Sequence, residues 1–222
     1  MPINARYRGP SDLPAILPVF PLAGALLLPR GQLPLNIFEP RYLAMVDDAL
    51  RDGHRLIGMI QPDGIQEAEP PALFHTGCVG RITQLAESGD GRYIIELTGI
   101  SRFRIQEELT VNTDYRQCRV DYMPFIDDFI ARKGEDDVDR DSLLRALTAF
   151  MNANEMQADW NDIAQAPTEA LVNGLSMMSP YGAAEKQALL EAPDLKTRAE
   201  LLVAITEIEL AKKNIEGEPP LQ

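Results

Sequence analysis

The sequence predicts an α+β protein, with a small, partly closed β-barrel carrying one helix over residues 1–125 and a helical bundle over residues 126–222. Three observations carry this. The apolar runs Ile16–Leu22 and Ala25–Leu28 are broken by Pro18, Pro21, Gly24, Pro29, Gly31 and Pro34, punctuation too dense for a helix and suited to short, bent strands. Between Phe74 and Tyr122 the apolar positions recur every second residue, with glycines at the corners. From Asp127 onward the spacing changes to three and four, which is helical.

Residues 1–14 are polar and proline-bearing and are expected to form a loose arm. After the bent strands, Glu39-Pro40 starts a helix: Pro40 suits the first helical position, and Glu39 sets negative charge by the positive helix end. Leu43, Val46 and Leu50, with Met45 and Ala49, are its expected apolar face, and Asp52-Gly53 its end. Arg55–Gln61 is a strand closed by Pro62-Asp63-Gly64, and Glu67–Pro71 a loop. Phe74–Glu87 and Arg92–Thr98 form a hairpin about Ser88–Gly91. After Gly99, Ser101–Gln106 sets Phe103 and Ile105 against Arg102 and Arg104, and Tyr115–Tyr122 points Cys118, Val120 and Tyr122 inward. About six short strands with glycine corners make a small barrel.

In the second half the expected apolar stripes are Leu143, Leu144, Leu147, Phe150 and Met151, then Leu171, Val172, Leu175 and Met178. Ser179-Pro180 opens a helix with Leu189 and Leu190 as its face. Asp194 caps a last helix carrying Leu201, Ala204, Ile205 and Ile208, and the tail Gly217–Gln222 frays. Short links between these helices give a bundle.

The chain carries a net charge of −13, unevenly spread: residues 1–125 hold 12 Arg and 15 Asp+Glu, and residues 126–222 hold 9 Lys+Arg and 19 Asp+Glu. Such a surface repels phosphate backbones, so neither nucleic acid nor an anionic membrane is an expected partner. Two distant cysteines make no disulfide framework, and no run approaches the ~20 apolar residues of a membrane span. The expected setting is soluble and cytoplasmic.

Chemistry is sparse. Phosphate-loop, dinucleotide and nucleophile-elbow patterns are missing. His75 and Cys78 fall on opposite faces of a regular strand, which argues against zinc held with His54 and Cys118. Asp137, Asp139 and Asp141 open like a calcium loop, but Ser142 and Thr148 replace its glycine and glutamate, so helix-start carboxylates are the better reading. No metal or cofactor is expected. Arg81, Arg92, Arg102 and Arg104 are the candidate binding residues, a strip able to take a carboxylate, a phosphate or an acidic segment, unless Glu96, Glu107 and Glu108 pair with them. Met151, Met156, Met177 and Met178 lie near Trp160 as bundle filler or an adaptable apolar surface.

LPVFPL (Leu17–Leu22), LPRGQLPLNIFEPRYLAMV (Leu28–Val46), GCVGRI (Gly77–Ile82), DGRYIIELTGISRFRI (Asp90–Ile105) and SPYGAAEKQALLEAPDLKTRAELL (Ser179–Leu202) occur in order. Together they resemble the N-terminal domain of the Lon protease family. The resemblance implies a PUA-like pseudobarrel followed by a helical bundle, and recognition of unfolded or tagged polypeptides for an ATP-driven protease. The ATPase domain and the Ser–Lys dyad of that family have no counterpart before Gln222, so a non-enzymatic, stand-alone polypeptide-binding module is expected. Its partners would be exposed polypeptide segments and a separate protease or chaperone. A PUA-like small-ligand or RNA-binding module is the alternative, opposed by the acidic balance. A hydrolase using His75 or Cys78 is a third reading, opposed by the lack of converging nucleophile, base and oxyanion donor.

Overall fold

The computed structural model describes residues 5–51, 54–64, 70–154 and 159–216, with side chains to residue 212. The expected Asp52-Gly53 helix end, residues 67–69 of the expected loop, Met156 and the tail 217–222 lie outside the described residues, as do residues 1–4. The chain is α+β, with a mixed sheet and several helices. It packs as two compact units, Met1–Ala131 with Pro180–Leu190, and Arg132–Ser179 with Glu191–Gln222.

In the first unit, β1 (Ile16–Pro21), β2 (Gln32–Ile37), β3 (Leu56–Ile60), β4 (Thr76–Glu87), β5 (Tyr93–Glu108) and β6 (Gln117–Asp121) form one sheet in the order β2-β5-β4-β3-β1-β6. A further β5–β6 pairing brings the sheet back on itself. The long β5 permits this, because residues 93–104 pair with β4 and residues 104–108 with β6. The hairpin turn before β5 is as expected, with Gly89 and Gly91 both at positive φ.

The prolines are tolerated for a definable reason. β2 holds Pro34 at the end of the strand order, where a missing N–H can face away from the ladder. β1 changes partner beside Pro18: residues 16–18 pair with β6 and residues 19–21 with β3. Ala25–Leu28 is not the strand expected from its apolar run. It is irregular chain, yet Leu26, Leu27 and Leu28 are buried. Hydrophobicity marked their burial and not their backbone.

Phe103 is fully buried among Leu17, Val19, Leu56, Val79, Cys118 and Val120. Its ring fits because Gly77 has no side chain: a Cβ there would stand 2.4 Å from the ring's Cζ. Residues 5–14 are held, not loose. Leu13 is buried in this cluster, Tyr7 packs against it, and the Tyr122 hydroxyl donates to the Pro14 carbonyl (2.9 Å). Helix α1 (Pro40–Arg51) starts at the expected proline. Its buried stripe is Tyr42, Met45, Val46 and Ala49, so Leu43 and Leu50 sit half-buried at its margins.

The second unit contains α2 (Arg140–Ala153), α3 (Trp160–Gln165), α4 (Thr168–Met178) and α6 (Leu195–Glu216); α5 (Ala183–Glu191) lies almost wholly in the first. Three expected stripes are rotated. α2 buries Ala146 with Leu143, Leu147 and Met151. α4 buries Thr168, Val172, Asn173 and Ser176, leaving Met178 exposed. α6 buries Leu195, Arg198, Ala199, Leu202, Ile205 and Thr206, leaving Ile208 exposed. In α4 and α6 polar side chains take places on the buried face, held by hydrogen bonds. Arg140 donates to Thr168 Oγ1 (2.9 Å), Arg198 to Asn173 Oδ1 (3.1 Å), and the Ser176 and Thr206 hydroxyls donate to carbonyls four residues back.

Asp194 heads α6 as expected, accepting from the Thr197 backbone N–H at 2.7 Å. That bond holds its carboxyl below the ordinary 3.8. A depressed carboxyl contributes stability that is fully present above the ordinary value and lost as pH falls through the lower folded one. Asp194→Asn is therefore expected to lose stability less steeply than the parent between about pH 5 and about pH 3. Urea midpoints at the two pH values check this, and parallel curves would show that the cap charge contributes nothing.

Candidate functional site

The β4–β5 pairing shifts register between Val79 and Gly80 and between Ile82 and Gln84, and a cleft lies beside these strands. Gly99 exchanges two backbone bonds with the turn before β2: Arg30 N donates to Gly99 O, and Gly99 N to Gly31 O, both at 2.8 Å. This brings Arg30, at φ 65°, beside the strand pair. Arg81 and Thr83 of β4, Thr98, Gly99 and Ile100 of β5, Ala5–Tyr7 of the N-terminal segment, and Asp128-Phe129 complete the walls of a cavity of about 430 Å³.

Two of its cations are fixed in place. Arg30 Nη1 donates to the Asp128 carbonyl (2.6 Å), and Arg81 Nη1 to the Tyr7 hydroxyl (2.9 Å). Arg6 lies exposed at the margin. Asp128 is the one carboxylate among the described lining residues, and Arg102 neutralises it from beneath. Arg102 gives Nη2–Oδ1 and Nε–Oδ2 contacts of 2.8 and 3.0 Å, its backbone N donates to Oδ2 at 2.8 Å, and Nη1 donates to the Leu190 carbonyl at 3.1 Å. Its guanidinium carbon lies 4.5 Å from the centre of the Phe125 ring.

The four arginines expected as a strip are thus separated. Arg81 lines the cleft; Arg102 is buried, although alternation set it opposite Phe103 on the outer face. That face is covered by the 3-10 segment Met123–Phe129 and the end of α5, which is why the alternation held while the exposure did not. Arg104 is exposed, and Arg92 is exposed and paired with Asp90 at 3.1 Å. Glu107 and Glu108 pair with Arg119 and Arg116 rather than with the strip. Arg6, Arg30, Tyr7 and Asp128 were not legible as site residues. The one local signal was the Pro29-Arg30-Gly31 turn.

The second unit has a groove of about 610 Å³ along α2 and α3, lined by Leu144, Ala149, Ile163, Ala164 and Trp160 with Asp141, Arg145, Thr148 and Asn152. Trp160 is 45% exposed. The expected methionine set is divided: Met151 is buried, Met177 half-buried and Met178 exposed. Asp139 accepts from Ser142 N (2.9 Å) as the cap of α2, the helix-start role. Cys78 and Cys118 are buried, with burial pushing the Cys118 thiol up to about 11, whereas His54 and His75 are exposed. Among the described residues no three His, Cys, Asp or Glu side chains gather as a metal site. No described helix is long and apolar enough to cross a membrane.

The sequence profile of the ATP-dependent protease La (LON) substrate-binding domain matches residues 16–207. Lon protease 2 of Myxococcus xanthus is 29% identical over 202 residues, covering 87% of this chain and 24% of that protein. Lon protease of Anaeromyxobacter dehalogenans is 28% identical over 205 residues, covering 87% and 23%. The chain therefore spans about a quarter of these relatives' length. Among solved structures, a Lon N-terminal domain protein from Xanthomonas campestris superposes with a TM-score of 0.60 at 25% identity, covering 85% of this chain and 97% of that one. The N-terminal domain of a Mycobacterium avium complex Lon protease gives 0.66 at 17% identity, covering 86% and 98%, a likeness of fold alone.

Proposed function

The chain belongs to the family of Lon substrate-binding domains, and on that footing we propose that it binds exposed or unfolded polypeptide segments without itself catalysing a reaction. The observation carrying this is the profile match across residues 16–207. We read the self-closing sheet of the first unit as a PUA-like pseudobarrel and the helices of the second as a bundle. The groove along α2 and α3 suits apolar side chains, with Trp160 as an amphipathic wall. A separate protease or chaperone in the cytoplasm would receive the bound segment.

A permanently unfolded model substrate, such as a reduced and carboxymethylated small protein, is expected to be retained by the immobilised protein. Its aggregation is expected to slow in the protein's presence. Trp160 is the single tryptophan of the chain, so substrate entering the groove is expected to shift its emission to shorter wavelength. Neither retention nor slowed aggregation would sink the proposal.

A further inference from the structure

We propose that the arginine-lined cleft beside β4 and β5 takes a carboxylate carried on a polypeptide segment, an acidic side chain next to an apolar one. The inference rests on the polypeptide-binding reading and names the chemistry that this cleft selects. Arg6, Arg30 and Arg81 converge on the cleft, and its one described carboxylate, Asp128, is already matched by Arg102. The described lining residues are thus cationic in balance, in a chain of net charge −13, with the Glu96 carboxylate 3.2 Å from Thr83 Oγ1 as the next nearest acid described. A planar guanidinium meets a carboxylate through parallel N–H bonds, and partial removal from water strengthens the pair. The Tyr7 hydroxyl accepts from Arg81 and so keeps its own proton to donate, while Ile100 and Phe129 supply an apolar wall for the neighbouring side chain. A cavity of about 430 Å³ suits one or two side chains.

The same charge balance separates a peptide carboxylate from a polyphosphate chain. Successive phosphates of an RNA would be repelled by a chain of net charge −13, whereas a single carboxylate is read at contact distance and the rest is screened within about 8 Å at physiological salt.

The test is fluorescence anisotropy with short labelled peptides built on repeated Glu-Phe, Gln-Phe or Lys-Phe, and with a labelled RNA hairpin. The Glu-Phe peptide is expected to bind roughly tenfold more tightly than its Gln-Phe counterpart, an advantage reduced by high salt. Arg6→Gln combined with Arg30→Gln is expected to erase the advantage. Arg41→Gln combined with Arg119→Gln, an equal change of charge at exposed positions outside the cleft, keeps it. On the unaltered protein, N-acetylated and C-terminally amidated Glu-Phe should compete where the equally blocked Gln-Phe does not, a readout independent of how any variant folds. Equal binding of Glu-Phe and Gln-Phe overturns the inference and leaves polypeptide binding standing. Absence of binding to every peptide overturns both. Binding of the hairpin through Arg6 and Arg30 with the acidic peptide ignored overturns it in favour of nucleic acid.

Discussion

Asp128→Ala is expected to lower folding stability by about 3–5 kcal/mol, because it removes one partner of a buried, multiply bonded ion pair and leaves the other charge in place. The Arg102 and Asp128 side chains are 4% and 8% exposed. Both carboxylate oxygens are used, Oδ2 by two donors at once. The pair ties β5 to the 3-10 segment Met123–Phe129, and Arg102 also donates to the Leu190 carbonyl at the end of α5. Losing the carboxylate therefore strands a guanidinium and a backbone N–H together. Asp128→Asn keeps an acceptor and should cost less; Arg102→Met combined with Asp128→Leu should recover part of the loss, since no unpaired charge remains. Urea unfolding of these variants beside Asp127→Ala, an exposed neighbour, is the measurement. A midpoint for Asp128→Ala no lower than that of Asp127→Ala would show that the pair is not holding these elements.

Arg102 also shows where reading the sequence succeeds and where it stops. Period-two alternation set it opposite Phe103, and the structure does so. Alternation assigns a face, however, and carries no information about what later covers it. The cover comes from Asp128, twenty-six residues on, in a segment without periodicity. The cleft has the same character. Arg81 was legible from its strand, but Arg30 reaches Asp128 across ninety-eight residues, and no local pattern announces such a bond. In α4 and α6, hydropathy marked Met178 and Ile208 as inward, while Asn173, Ser176, Arg198 and Thr206 occupy the buried side with hydrogen-bond partners. A buried polar side chain with a partner is invisible to a stripe of apolar residues. Local chemistry was legible where backbone geometry demanded it, as at Pro40, Gly89, Gly91 and Asp194.

Gly99→Ala is expected to cost about 3 kcal/mol, at the upper end of overpacking penalties, because the new methyl meets backbone and not a side chain that can turn away. A Cβ on Gly99 would stand 2.1 Å from the Leu28 carbonyl oxygen and 2.8 Å from its carbon. Relief requires moving either β5 or the Leu26–Leu28 segment, and those three leucines are buried. It also requires stretching the two 2.8 Å bonds that join Gly99 to Arg30 and Gly31. For a chain of this length the loss corresponds to a fall in Tm of roughly 6–12 °C. Gly9→Ala, with nothing within 4 Å of the added carbon, is the matched control and should stay within about 0.5 kcal/mol of the parent. The effect on binding follows from the same contact. Arg30 is presented to the cleft by the bonds that Gly99→Ala strains, so below its lowered Tm the variant should still fold while losing the preference for Glu-Phe over Gln-Phe. A variant that melts with the parent would remove the close approach; one that melts early but keeps the preference would detach the cleft from the Gly99 contact.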